Sequence, residues 1–267
     1  MGFTWDFGPK NRFDPYTPQD PEPSPHDENK SESAKRIFLE AMNVSYLTGD
    51  VPGMWRRGTI IPLLKPDKAS DDIKSYRPVT LTSQISKLME RMIARRIVFA
   101  IEGQLCGAQF GFRAGLSTTD TIMEIIDELS RAYVNYNHRG AGYTFERALM
   151  LACDFSSAFD TIGHHAVMEQ LKKLGCGEYE MRWVKSFLSG RQGRVQVGDV
   201  QSKWVDFEAG IPQGTVLGPL LFIVAINDLL KDLVNKGYKT ATFADDLTVV
   251  LRIAVKIRNI TIFNAAS

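Results

Sequence analysis

Phe243-Ala-Asp-Asp-Leu-Thr-Val-Val-Leu251 is the stretch that decides how this chain is read. Two short apolar runs, Thr240–Phe243 and Leu247–Leu251, flank Asp245-Asp246, the layout of two strands about a tight turn. Asp suits such a turn by itself, because its short side chain tolerates the backbone a turn needs. A second run, Ala148-Leu-Met-Leu-Ala-Cys-Asp154, also closes on an acid and reads as a central strand. Alone, Asp154 could simply cap the turn that follows it. Taken together the two runs say more, since two strands ending in carboxylates can be neighbours in one sheet. Hard carboxylate oxygens suit Mg²⁺, which takes one or two carboxylates plus substrate phosphates. Two such ions about 3.5–4 Å apart stabilise both oxygens of an in-line phosphoryl displacement.

Around these runs the spacing of apolar residues sketches the rest. Gly58–Lys65 reads as a short buried strand. Ser83–Glu102 reads as a helix, with Ile85, Leu88, Met92, Ile93 and Ile97 on one face and Arg91, Arg95 and Arg96 opposite. Ser117–Tyr133 is a second helix, opened by an imperfect capping box of Ser117 and Asp120. Asn135–Gly142 reads as a polar loop. Ala166–Leu174 and Met181–Leu188 are short helices, and Leu217–Leu233 is one long apolar helix. Arg194–Val197 and Trp204–Glu208 alternate like a hairpin around Gly198-Asp199.

Composition narrows the class. The 267 residues are 44% hydrophobic, enough for a sizeable core, and the net charge is +1, which excludes a polycation or an acidic disordered chain. Three cysteines without CxxC spacing and four scattered histidines argue against a disulfide framework or a zinc site. No apolar run is long enough to span a membrane, and no secretory signal is expected at Met1–Phe13. Six of the twelve prolines fall in residues 1–30, so a disordered lead is expected there. Residues 31–100 hold 12 Lys/Arg against 7 Asp/Glu, which suits either a solvated helix face or a groove for a phosphate backbone.

Five segments resemble those of a known family. Leu151-Ala-Cys-Asp154-Phe-Ser-Ser-Ala-Phe159-Asp160 resembles the first palm motif of reverse transcriptases. Gly210-Ile-Pro-Gln213-Gly-Thr-Val-Leu-Gly-Pro-Leu-Leu-Phe222 is similar to their PQG motif, and Phe243-Ala-Asp245-Asp246 to their FADD or YADD box. Ser75-Tyr-Arg77-Pro-Val-Thr-Leu81 and Gln109-Phe-Gly-Phe-Arg113-Ala-Gly-Leu-Ser-Thr118 look like finger motifs of non-LTR retrotransposons of the jockey and trypanosomatid ingi type. Each box is weak alone, but the five stand in family order across residues 55–251.

The resemblance implies an α+β right-hand polymerase: fingers over 31–140, palm over 141–251, and a mixed sheet with helices on one face. It implies RNA-directed DNA polymerase activity, with RNA template, DNA primer and dNTPs as partners and two Mg²⁺ (or Mn²⁺) ions as cofactors. Asp154, Asp245 and Asp246 would be the catalytic metal ligands, with the backbone carbonyl of Phe155 beside them. Phe159 would be the sugar gate that favours deoxynucleotides, although the same ring could be a core aromatic. Gln213 and Gly214 would touch the incoming nucleotide, and Lys65 and Arg77 would grip its triphosphate. Arg113, Arg91 and Arg95 would follow template or primer phosphates. Asp160 would brace the turn after it, and His164-His165 would serve in loop hydrogen bonds. The family's lifestyle implies the nucleus.

Residues 252–267 do not resemble the family's next palm motif, and no thumb is expected after them. The expectation is therefore a truncated fingers-and-palm fragment of weak activity. The alternatives are a catalytically incomplete nucleic-acid-binding remnant, a chain that never folds, and another polymerase of the same palm. Phe159 speaks against an RNA-templated RNA polymerase, and the finger wording speaks against a group II intron maturase.

Overall fold

A computed structural model describes residues 25–134, 136–139, 142–155 and 158–258. The proline-rich lead lies outside the described residues up to 24, and from Pro25 the chain is helical. The chain falls into two compact units, Met1–Val44 and Ser45–Ser267. Helix α1 (Pro25–Thr48) begins in the first and ends in the second.

The larger unit holds two sheets. The first begins with β1 (Arg57–Leu64) and β2 (Tyr76–Leu81), an antiparallel pair. Helix α2 (Gln84–Ile101) follows, then α3 (Thr118–Val134). The second sheet begins with β3 (Tyr136–Arg139) and β4 (Gly142–Asp154). Helices α4 (His164–Lys173) and α5 (Glu178–Leu188) lead back to the first sheet through β5 (Arg191–Val197), β6 (Val200–Gln201) and β7 (Val205–Phe207). Helices α6 (Leu217–Ala225) and α7 (Asn227–Asn235) precede β8 (Lys239–Phe243) and β9 (Asp246–Arg258).

The first sheet runs β2-β1-β5-β6, with β7 also on β5, and β5 lies parallel to β1. The second, β3-β4-β9-β8, is antiparallel throughout. Mixed pairing was expected in the sheet with the carboxylates; its four named strands are antiparallel and its parallel contact is the isolated Gln109↔Thr242 bridge, while the other sheet is mixed in its strands. That first sheet draws strands from both sides of residue 140, so a boundary there does not separate the two sheets.

The core is built by periodicity. Met89, Ile93, Ile97 and Ile101 recur every fourth residue of α2 and are fully buried, while Arg91, Arg95 and Phe99 face outward. Helix α2 packs on α5 and α6. In α5, Trp183 stacks on Phe187 with ring centroids 5.5 Å apart, and α6 is buried almost all round.

Three local expectations change. The polar loop over Asn135–Gly142 is in part strand β3, paired from Tyr136↔Phe145 to Arg139↔Gly142. Its polar sequence hid it, because one strand of a pair can be polar when its partner supplies the hydrogen bonds. The long helix 217–233 is two helices broken at Ile226 (φ −88°, ψ −1°). The break places buried Asn227 where its Oδ1 accepts from the Cys106 N–H at 2.8 Å. Strand β9 runs on past Leu251 to Arg258, because β4 supplies a partner at every position back to Gly142.

Candidate active site

Thirteen consecutive register pairs join β4 to β9, and the last is Asp154↔Asp246. The two acids are therefore direct neighbours on one sheet face. Asp245 stands one residue earlier, in the two-residue turn that links Phe243 to its partner Asp246. Ala244 takes φ +57° there while Asp245 does not, the pattern of a type II′ turn, whose first position favours glycine. Asp154 and Asp246 are exposed and Asp245 is half-buried. None of the three is ion-paired to a cation among the described residues.

The turn is braced from outside. Phe110 N–H donates to the Thr242 carbonyl at 2.9 Å, and Thr242 N–H donates to the Ala108 carbonyl at 2.8 Å. Residues 108–111 thus run as an extra short strand along the free edge of β8. Gly111 lies so close that a Cβ there would overlap the backbone nitrogen of Ala244. The sequence reading missed this brace; the glycine inside Gln109-Phe-Gly-Phe112 was its only signal. Phe155, the residue after Asp154, is partly buried and packs against a cluster of Cys106, Ala108, Leu230 and Leu247.

The glycine loop at 210–214 forms a second wall. Gly210 (φ +86°) leaves no room for a side chain, since a Cβ would sit 2.7 Å from the Asp160 carbonyl oxygen. The Ile211 N–H donates to the Phe159 carbonyl at 2.7 Å. His164 Nε2 lies 2.8 Å from the Gly210 carbonyl, so the tautomer protonated at Nε2 donates to it. The Thr80 N–H donates to the Gln213 carbonyl at 2.8 Å, pinning this loop to the edge of β2. Gly214 (φ +95°) follows, and a Cβ there would meet the Thr80 carbonyl oxygen at 2.8 Å. The Gln213 amide donates to Asp160 Oδ1 at 3.4 Å. Phe159 is half-buried, stacked on Phe222 with centroids 4.8 Å apart and edge-on to Phe112 at 6.4 Å. The first palm segment and the glycine loop are thereby one contiguous assembly.

The cations divide. Arg77 is exposed on β2 opposite Leu63, and Lys65 follows β1, its ammonium donating to the Lys74 carbonyl at 3.1 Å. Arg91 and Arg95 are exposed on α2. Arg113, expected to follow phosphates, is placed differently. Its side chain is only 14% exposed. Its Nε and Nη2 donate to Glu102 Oε1, and its Nη1 donates to the carbonyls of Cys106 and Gln109. It ties down the start of the brace beside the acidic turn. The reason is local: Glu102 ends α2 a short way upstream, and a buried guanidinium takes a carboxylate when one is in reach.

The donor set fits a divalent cation. Among the described residues no three such side chains close into a ready-made cage. Mg²⁺ does not need one, since it commonly takes two carboxylates and completes its shell with water and phosphate. Two un-neutralised carboxylates side by side also cost Coulomb energy that a cation would remove.

Residues 63–261 match the family described as reverse transcriptase (RNA-dependent DNA polymerase). The probable RNA-directed DNA polymerase from transposon X-element of Drosophila melanogaster is 35% identical over 220 residues, which is 81% of this chain and 23% of that protein. The RNA-directed DNA polymerase from mobile element jockey of the same fly is 30% identical over 223 residues, 81% of this chain and 23% of that protein. This chain thus spans about a quarter of the length of the curated relatives it matches. Among solved structures, telomerase from Candida albicans aligns with a TM-score of 0.52 at 11% identity, over 79% of this chain and 40% of that one. That likeness is one of fold. No described helix is long and apolar enough to cross a membrane.

Proposed function

This chain belongs to the reverse transcriptase family, in its non-LTR retrotransposon branch, and on that premise we propose that it is a fingers-and-palm portion that adds deoxynucleotides to a primer 3′-OH on an RNA template. The observation that carries the reading is the Asp154↔Asp246 register pair with Asp245 in the adjoining turn. Two Mg²⁺ (or Mn²⁺) ions, held by Asp154, Asp245, Asp246 and the Phe155 carbonyl, would supply charge stabilisation for the attacking and leaving oxygens. The chain's own contribution is to hold the reactants. The Phe159 ring, fixed by its stack on Phe222, would clash with a ribose 2′-OH. Gln213 and Gly214 bring side-chain amide and bare backbone to the nucleotide. Arg77 and Lys65 offset the triphosphate charge, Arg as a fork and Lys as a point charge. Arg91 and Arg95 are suited to phosphates of template or primer. Arg113 braces the acidic turn. On this reading the chain works in the nucleus.

Primer extension with Mg²⁺ or Mn²⁺ and dTTP on poly(A)·oligo(dT) tests it, beside an Asp245→Asn/Asp246→Asn control. Extension that disappears in the control is expected. A folded chain that binds RNA in a salt-dependent way but adds no nucleotide would sink the polymerase reading and leave a nucleic-acid-binding remnant.

A further inference from the structure

Glu90 is a carboxylate with no access to solvent, 0% exposed on the inner face of α2. A buried acid persists only where its oxygens are satisfied. Oε2 accepts from the Val216 N–H at 2.6 Å and from the Leu217 N–H at 3.2 Å. Oε1 accepts from Ser86 Oγ at 3.0 Å. The two amides open α6, an apolar helix whose cap residue, Val216, makes no side-chain cap bond. A helix start buried without acceptors is unstable, so the cap comes from another helix 126 residues away. A negative charge there also meets the positive end of the α6 dipole.

Val216 stands three residues after Gln213. The link between them is stiff. Thr215 Oγ1 donates to the Pro212 carbonyl at 2.8 Å and accepts from the Gly218 N–H at 3.2 Å, while Gly214 lies against Thr80. The loop is therefore held before Gly214 by Thr80 and Asp160, and after it by Glu90. We propose that Glu90 is a positioning residue for nucleotide binding: through the Val216 and Leu217 amides it holds Gln213 and Gly214 where the incoming deoxynucleotide meets them. The inference rests on the reading of Gln213 as a nucleotide contact. It adds that the decisive anchor of that contact is a buried side chain on α2, away from the acidic turn.

The test is a double-mutant cycle on dTTP affinity. The whole chain is used on poly(A)·oligo(dT), with Ca²⁺ present so that binding is read without chemistry. Glu90→Gln keeps the shape and removes the charge. It should weaken dTTP binding by about tenfold, the scale of one hydrogen bond to a charged group. In a Gln213→Ala background the same change should have almost no further effect, because both act through one contact. Glu90→Asp should restore part of the affinity. Thermal stability should fall by the same amount in both backgrounds. Equal weakening of dTTP binding in both backgrounds, or none in either, would overturn the proposal and leave Glu90 a helix cap only. If Gln213→Ala alone leaves dTTP affinity unchanged, the nucleotide reading of Gln213 fails and the proposal falls with it. Should Glu90→Gln not fold, Ser86→Ala, which removes one bond to the carboxylate, goes through the same cycle with a smaller expected effect.

Discussion

Asp154 at the end of β4 and Asp246 at the start of β9 are the last register partners of a thirteen-pair antiparallel ladder. Like charges directly opposite each other in such a ladder oppose folding by roughly 0.2–1 kcal/mol. Asp154→Asn should therefore raise the melting temperature in metal-free buffer by about 1–4 °C for a domain of this size. The same variant should lose primer extension by on the order of a hundredfold or more. Mg²⁺ should stabilise the wild type, since a ligand that binds only the folded state shifts its melting, and should stabilise Asp154→Asn much less. Calorimetric scans with and without Mg²⁺ check both halves. Equal Mg²⁺ responses in the two proteins would remove these carboxylates as the cation site.

Gly111→Ala should damage the turn without touching an acid. Its new Cβ would overlap the Ala244 backbone, which belongs to the turn and cannot swing aside as a flexible side chain could. Overpacking of this kind costs about 1–3 kcal/mol. Melting should drop by several degrees, and extension should fall more than the loss of folded protein explains.

Ala244→Gly tests the opposite sense. A non-glycine residue at φ +57° costs roughly 1–2 kcal/mol, against about 0.5–1 kcal/mol of extra chain entropy lost by glycine. A net gain of up to about 1 kcal/mol is expected, read as a higher urea midpoint at unchanged slope. A lower midpoint would show that the left-handed conformation is not strained.

Phe159→Val should open the sugar pocket. The ratio of dTTP to UTP incorporation is expected to fall by about tenfold or more, the discrimination that a steric contact can supply. Stability should fall too, because the stack on Phe222 is lost. Steady-state incorporation of both nucleotides, with melting as a companion, separates the two effects. An unchanged ratio would make Phe159 a core aromatic and nothing more.

Asp228 gives a pH test away from the site. A hydrogen bond from the Gln170 amide, then Lys173, holds its carboxyl below the usual value. A depressed acid stabilises the fold above its unfolded pKa and loses that contribution as pH falls through its folded value. Asp228→Asn should therefore lower the melting temperature at pH 7, and the gap to the wild type should begin to narrow only as the pH falls below about 4, closing once it passes the lower folded value. Its partial exposure makes the effect small.

Much of the site could be read along the chain. Asp154, Asp245 and Asp246 stood out because acids rarely end apolar strands, and Gly214 because a glycine lets the backbone approach closely. The outward arginines of α2 followed from helical period, but of the apolar face read opposite them only Ile93 and Ile97 are buried, while Ile85, Leu88 and Met92 are exposed. Other features could not be read this way. Arg113 resembles the other surface cations in sequence; Glu102 is near it along the chain, but only the fold shows that the guanidinium is buried against it. Glu90 looked like one more polar residue of an amphipathic helix, yet it is the cap of α6.

What the amino-acid sequence determined by itself was most of the elements and the residue types they carry. The 2.0 and 3.6 residue periods and the turn residues follow from backbone geometry within a few residues, and the family boxes from resemblance. What only the tertiary structure decided was which elements meet: β5 parallel to β1 across the chain, residues 108–111 along β8, and Glu90 at the start of α6. Those contacts close long loops, and loop closure depends so weakly on length that no local pattern records where the ends come together. Partners far apart in sequence are selected by the hydrogen bonds and packing that remain to be satisfied once the local elements exist.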